Sequence, residues 1–504
     1  MAVPQNTLPI RRKLGRKGNT PRIRRKNPVN HPLYCGTVIT VPYMMCHHRP
    51  FLTFCGCVVD QTCARKGAFP MYIPESVTEL MDRLEEAGFE CHCVGGCVRD
   101  WLMGIAPHDY DCCTAAAPEE MLEIFRDYQL VLAGLKHGTV GVVTENGVVE
   151  ITSFRTEGGY ADARHPDWVH FVRDLREDLA RRDFTVNAMA YSPRRGLSDP
   201  FGGQEDLKKG LLRAVGEPEL RFREDALRIL RGLRFAARFG FEIEENTLRA
   251  MHTEIGGLDA LARERVMTEL EGFLPAAKAP DLIRAGEILC RVIPELAPTV
   301  GFDQHSRHHT RDVFGHTAQV VERAPKRAEL RFAALLHDIG KPGTFTVDER
   351  GEGHFYGHAA VSAEIADAVL LRLKASNALR EEVVWLVKHH MDRWPGEERT
   401  ARRLLSRQGL ERMERLLDLQ AADFGGDDPA TAVGEALRRL LRELAEKEGT
   451  LTLKTLAVKG ADLMEKGMKP GPQLGRILNA LLEKVLAGEL PNEKAALLDA
   501  AFEK

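Results

Sequence analysis

Two groups of residues in this 504-residue chain have the types and spacing to do chemistry. The first is Gly95-Gly96-Cys97-Val98-Arg99-Asp100, followed by Asp109-Tyr110-Asp111. A glycine pair behind a strand lets backbone N–H groups approach a phosphate, and a helix starting there adds its positive end. Arg99 could supply charge to a triphosphate. On an extended segment residues two apart project to the same face. Asp109 and Asp111 can therefore share a hard cation such as Mg²⁺ through oxygen ligands. Metals held in this way could activate a 3′-hydroxyl and stabilise a leaving pyrophosphate. Glu150, in the run VVEITSF, is a third acid able to complete the cluster.

The second group is His316, then His337-Asp338 in LLHDIGKP, His358, His389-His390, and Asp423 in ADFGG. Neutral imidazoles mixed with carboxylates suit Mn, Ni, Fe or Mg-type ions and hydrolytic work. The pattern H…HD…D, with HD on an apolar run ending in IGKP, is the specific part of this group.

The elements that must position these residues fall into two regimes. From Met71 to about Phe201, helices alternate with the β-rich runs CHCVGG, GTVGVVT and GVVEITSF. After about Glu217 the chain reads as almost wholly helical. This predicts a mixed α/β head followed by an all-α body. Glu224 to Phe239 reads as one helix, which sets Asp225, Arg228 and Arg231 within roughly a 120° arc. A carboxylate and a guanidinium on one face could read a base edge, Asp225 accepting from an exocyclic amino group and Arg228 donating to a ring nitrogen or carbonyl. Leu474 to Leu486 carries apolar residues at 474, 477, 478, 481, 482, 485 and 486, one face of an amphipathic helix.

Residues 1–70 differ from the rest. They carry 12 Lys/Arg and one acid, which leaves the remaining residues with 58 basic and 72 acidic side chains, a net of −14. Such a body does not coat RNA non-specifically, so contacts with RNA must come from local basic patches. The basic, Gly/Pro-rich stretch Arg11–Lys26 reads as disordered. An over-extended translation start with Met71 as initiator is favoured here over an RNA-binding arm or a presequence. No apolar run is long enough to cross a bilayer. The 11 cysteines include no zinc-ribbon pairing and no secretory signal accompanies them, so they read as reduced thiols of a cytoplasmic protein.

The segment GGCVRDWLMGIAPHDYD resembles the signature of class II tRNA nucleotidyltransferases and bacterial poly(A) polymerases, members of the DNA polymerase beta superfamily. TSFRTEGGYADARHPDWVHF resembles that family's flexible loop. RRDFTVNAMA, DPFGGQEDL and EDALRILRGLRFAARFGF follow in the family's order. The resemblance implies addition or repair of the 3′-terminal CCA of tRNA from CTP and ATP with Mg²⁺. It assigns base reading to Asp225 and Arg228 and phosphate roles to Arg182, Arg231 and Arg234. Gly95, Gly96, Arg99, Asp183 and Asn187 join them as nucleotide-binding candidates, Asn187 toward ribose and phosphate. The loop from Arg155 to Pro166 favours a switch from C to A over CC-only addition. LLHDIGKP and its partners are similar to the HD phosphohydrolase superfamily, which implies His316, His337, Asp338 and Asp423 as the four metal ligands and His358 and His389 for a second metal or a phosphate contact. That likeness implies a second divalent metal and phosphatase or phosphodiesterase chemistry on small phosphoesters, including 2′,3′-cyclic nucleotides.

The expected organisation is a disordered or over-extended segment at 1–70, a head at 71–205 and a helical neck at 206–300. An HD domain at 301–430 and a tRNA-binding tail at 431–504 follow. A poly(A), A-only or CC-only polymerase is the near alternative, and an HD hydrolase with an RNA-binding head is the alternative of another class. The oligomeric state is left open.

Overall fold

The computed structural model describes residues 70–158, 168–305, 311–394, 396–425 and 428–503. The basic extension, its five cysteines and the centre of the expected flexible loop lie outside these residues.

The head is built on a seven-stranded mixed sheet. Helix α1 (Glu75–Glu86) precedes β1 (Cys91–Val94), and α2 (Gly96–Leu102) starts directly behind the glycine pair. β2 (Cys112–Thr114), α3 (Pro118–Ile124), β3 (Leu130–Val131), β4 (Thr139–Thr144) and β5 (Gly147–Ser153) follow, with β8 (Ala190–Ser192) and β9 (Gly196–Ser198) completing the sheet. The order is β3-β4-β5-β2-β1-β8-β9. β6 (Arg155–Gly158) and β7 (Trp168–Phe171) pair as a separate ribbon, and α4 (Leu175–Ala180) follows it. Neighbours are antiparallel except β2 and β5, which run parallel with Cys112 opposite Ile151. Cys112 packs into one apolar cluster and Cys113 into another, with Phe154 and Leu179. The sheet is thus covered on both faces, which is why β1 and β2 read as continuous apolar runs rather than alternating ones.

The body is helical. α5 (Gly203–Lys209), the short β10 (Leu211–Leu212), α6 (Pro218–Glu224), α7 (Leu227–Phe239), β11 (Glu242–Ile243), α8 (Glu245–Thr253) and α9 (Arg263–Phe273) form the neck. α10 (Ala279–Arg284) and α11 (Gly286–Val292) lead to α12 (Val313–Arg323) and α13 (Ala328–Leu336). A small hairpin of β12 (Thr346–Val347) and β13 (Gly353–His354) precedes α14 (His358–Arg372), α15 (Asn377–His389), α16 (Glu398–Gln408), α17 (Leu410–Phe424) and α18 (Pro429–Glu448). One apolar cluster runs without a break from Phe184 to Leu444. The last three helices, α19 (Gly460–Glu465), α20 (Pro472–Leu486) and α21 (Lys494–Phe502), share a cluster of their own. In α20 the stripe expected from sequence buries Leu481, Leu482, Val485 and Leu486.

One expectation changes. The predicted helix from Glu224 to Phe239 is two helices, broken at Asp225, whose backbone is extended at φ −144° and ψ 100°. The Asp225 carboxylate accepts from the Leu227 N–H at 3.0 Å. A short acid competes in this way for free amide donors and starts a helix rather than continuing one. Asp225 therefore stands ahead of Arg228 and not on a shared helix face.

Arg331 shows how the helical body is held. It is 2 % exposed, and its guanidinium donates to the carbonyls of Ala277 (2.9 Å), Glu322 (3.2 Å) and Pro325 (3.3 Å). Arg331→Leu removes the donor to the Ala277, Glu322 and Pro325 carbonyls, of which Pro325 keeps the Arg327 N–H, and should cost about 3 kcal/mol in urea unfolding. A loss below about 0.5 kcal/mol, the level of an ordinary surface substitution, would contradict that role.

Candidate functional sites in the head and the helical body

Gly95 adopts φ +75°, a conformation that side chains disfavour, and ends β1 so that α2 can begin. A Cβ there would lie 3.2 Å from Arg182 Nη1, so the glycine also admits that arginine to the loop. Arg182 in turn pairs with the buried Asp178 at 3.2 Å. The Val94 N–H donates to the Asp111 carbonyl at 2.9 Å, which ties the start of β2 to the end of β1.

Asp109 and Asp111 lie in the extended segment just before β2. Both are exposed, whereas Tyr110 between them packs against the head core. Because Cys112 is opposite Ile151, Asp111 stands beside Glu150 one register step back. Partial burial pushes the Asp111 carboxyl above its ordinary value, with Glu150 and Asp109 adding to the shift and Arg182 opposing it. The three acids line a cleft of 410 Å³ together with Ser76, His108 and Asn146. Carboxylates gathered in one cleft are the oxygen ligands that a hard divalent cation takes.

The other nucleotide-binding candidates are all engaged. Asp183 is buried and accepts from Arg231 at 2.7 and 2.9 Å, which holds its carboxyl below the usual range despite burial. Asn187 donates to Asp183 and accepts from Arg99. Asp225 pairs with Arg265 at 2.9 Å. Arg228 donates to Glu224 and to the carbonyls of Arg221 and Arg181. Arg234 pairs with Glu269 at 2.5 Å. Arg99 departs most from expectation. It is 5 % exposed and fully paired, beneath the phosphate loop rather than open to a triphosphate.

In the helical body all four expected ligands converge. His316 Nε2 is 3.0 Å from Asp423 Oδ1 and 3.6 Å from Asp338 Oδ2. His337 Nε2 is 3.1 Å from Asp338 Oδ2 and 3.4 Å from Asp423 Oδ1. His358 Nε2 approaches Asp338 Oδ1 to 3.3 Å from the other side. The Nδ1 atoms of His337, His358 and His390 each face the backbone carbonyl three residues earlier, at 2.6–2.8 Å. Such pairings set the tautomer that turns a lone pair on Nε2 toward the carboxylates. His337 Nε2 is buried with no hydrogen-bond partner and faces the Asp338 and Asp423 carboxylates, so a proton or a cation must lie between them. Burial works to lower the His337 pKa, but Asp338 and Asp423 outweigh it and push it up to about 10. These residues fit a divalent cation.

The sequence reading placed His389 at this group, and the structure turns it away. His389 pairs with Asp392 at 2.6 Å, while His390 is buried beside His358 and Asp338. Adjacent helical residues differ by about 100°, and the buried series Val383, Leu386, Val387 leads to His390. That spacing was the signal available in the sequence. Lys341, 2.7 Å from Asp338 Oδ2, was also missed. The group opens into a cavity of 670 Å³ whose wall includes Arg311, Arg323, Phe355, Tyr356 and Phe424.

Comparisons with known proteins agree with this division. Residues 91–213 match the model of the poly A polymerase head domain, and residues 307–424 match the HD domain. The CCA-adding enzyme of Levilactobacillus brevis is 34% identical over 433 residues, covering 84% of this chain and 97% of the relative. That of Limosilactobacillus fermentum is also 34% identical, covering 85% and 96%. The crystal structure of the Bacillus stearothermophilus CCA-adding enzyme in complex with CTP superposes with a TM-score of 0.63 at 30% identity, covering 85% of this chain and 96% of that one. The Thermotoga maritima CCA-adding enzyme complexed with tRNA shares the fold, with a TM-score of 0.55 at 22% identity.

The histidine–aspartate group generates a test that needs no substrate. Mn²⁺ or Ni²⁺ at about 100 times its dissociation constant should stabilise the metal-stripped protein by about 2.7 kcal/mol. Thermal unfolding should show this shift in the wild type and lose it in His337→Ala. An equal shift in both would place the metal elsewhere.

Proposed function

This chain belongs to the family of CCA-adding enzymes, and we propose that it adds or repairs the 3′-terminal CCA of tRNA from CTP and ATP without a template. The observation that carries this reading is the register of β2 between β1 and β5. It sets Asp109, Asp111 and Glu150 at one cleft beside the Gly95-Gly96 loop, in a chain spanning 97% of a CCA-adding relative.

In this reading Asp109, Asp111 and Glu150 hold Mg²⁺. When bound, the ion lowers the pKa of the attacking 3′-hydroxyl and offsets charge on the phosphates. The N–H groups of the glycine loop, with Arg182 and Arg231, bind the triphosphate, and Asp183 and Asn187 take the ribose. Asp225 accepts from the amino group that C and A share, and Arg228 donates to the adjoining ring acceptor. U and G offer an oxo group there and leave Asp225 facing an acceptor, which a hydrogen-bonding site rejects strongly. The tRNA 3′-hydroxyl attacks the α-phosphate and pyrophosphate leaves. The segment from about 431 onward holds the tRNA body, the neck lies at 206–300, and the enzyme works in the cytoplasm. Among the described residues no helix is long and apolar enough to cross a membrane.

A second centre is favoured by a specific observation, the convergence of His316, His337, Asp338 and Asp423 on one point. With a divalent ion of the Mn, Ni, Fe or Mg type it would hydrolyse small phosphoesters, the metal supplying an activated water.

Incubation with Mg²⁺ and tRNA ending before C74, after C75 or intact tests the first reading. CTP alone should extend the shortest tRNA by CC, ATP should complete it, and intact tRNA should not grow. Long A tails or a halt after CC would refute it. Asp109→Ala should lower addition by about 10³-fold, and His337→Ala should remove phosphoesterase activity while leaving addition within about twofold.

A further inference from the structure

The position of Arg99 is at odds with a phosphate ligand. Nε and Nη2 donate to Asp100 Oδ1 at 2.9 and 2.6 Å, and Nη1 donates to Asn187 Oδ1 at 2.6 Å. The guanidinium lies 4.5 Å from the ring centre of Phe239 and 5.4 Å from that of Phe235, both on α7. Asn187 passes the link on, its Nδ2 donating to Asp183 Oδ1 at 3.1 Å. Asp183 Oδ2 then accepts from Arg231 Nε and Nη2, again on α7. Asp100, Arg99, Asn187, Asp183 and Arg231 thus form an unbroken polar chain from α2, behind the phosphate loop, to the helix that carries Arg228. Its three middle members are all less than a tenth exposed. A Cβ on Gly96 would lie 3.7 Å from Arg99 Nη2, so the loop itself rests against the guanidinium.

We propose that Arg99 is a positioning residue for nucleotide selection, which fixes α7 relative to the phosphate loop through Asn187 and Asp183. The proposal rests on the nucleotidyltransferase reading above. An asparagine amide can turn either end toward Asp183, and here a cation on one side and a carboxylate on the other admit a single orientation. A guanidinium serves two acceptors in a fixed fork while stacking on a ring, and an ammonium cannot do all three. Loss of the fork frees Asn187 to turn, releases Asp183 and lets α7 shift. The groups facing the base then lose their register although Arg99 never touches the nucleotide.

Calorimetric binding of CTP, UTP and inorganic tripolyphosphate to the full chain tests this, with thermal unfolding alongside. The variants are Arg99→Lys, Asn187→Asp, which sets two carboxylates face to face, and the double variant. Each single change should cut the preference for CTP over UTP by about tenfold, a larger loss than any in tripolyphosphate affinity. The double variant should be no worse than the poorer single, as expected for two members of one chain. A loss confined to tripolyphosphate affinity would make Arg99 a direct phosphate ligand and overturn the proposal. So would unchanged discrimination, effects that multiply in the double variant, or failure of both single variants to fold. Wild-type protein that binds CTP but extends no tRNA would instead refute the nucleotidyltransferase reading, while the binding comparison would still decide the role of Arg99.

Discussion

A single backbone hydrogen bond, from the Val94 N–H to the Asp111 carbonyl, sets the geometry on which the head depends. It joins the end of β1 to the start of β2, so the strand that delivers the glycine loop and the segment that delivers the acids share one sheet edge. The parallel pairing of β2 with β5 then brings Glu150 alongside. A one-residue slip of either strand would move Asp109 and Asp111 off the cleft and separate Asp111 from Glu150. The apolar packing on both faces of the sheet makes such a slip costly, and so protects the register of the site.

Behind that edge the chain buries charge repeatedly and satisfies it by linked pairs. Asp178 lies between Arg181 and Arg182, Asp183 accepts from Arg231, and Glu269 accepts from Arg234. Buried pairs of this kind are costly to desolvate, and breaking one member is costlier still. They add specificity of arrangement more than stability, which suits a site that must present a fixed pattern of donors and acceptors. The histidine–aspartate group is held differently, with imidazoles and Lys341 gathered on two carboxylates. His337 Nε2 remains without a hydrogen bond in a buried place, facing two carboxylates. A cation resolves what the protein leaves unpaired.

Much of this was legible from residue types. The glycine pair, the alternating acids and the His-Asp motif are set by local backbone rules, and each lies where its spacing implied. The break at Asp225 was not legible from apolar periodicity, because the periodicity continues across it. What decides it is the competition of the Asp225 carboxylate for the Leu227 amide. The surroundings of Arg99 were not legible either, because Asn187 and the rings of α7 come from residues more than eighty positions later. His389 and His390 differ by one helical step, and only the buried face of α15 tells them apart.

The central claim is that one cleft in the head and neck takes the nucleotide and reads its base through Asp225 and Arg228. A crystal structure of the chain with CTP and Mg²⁺ tests it most directly. The account predicts the triphosphate on the Gly95-Gly96 loop, metal density at Asp109 and Asp111, and the cytosine amino group within hydrogen-bond distance of the Asp225 carboxylate. A nucleotide seated in the cavity of the histidine–aspartate group, or a base turned away from Asp225, would contradict it.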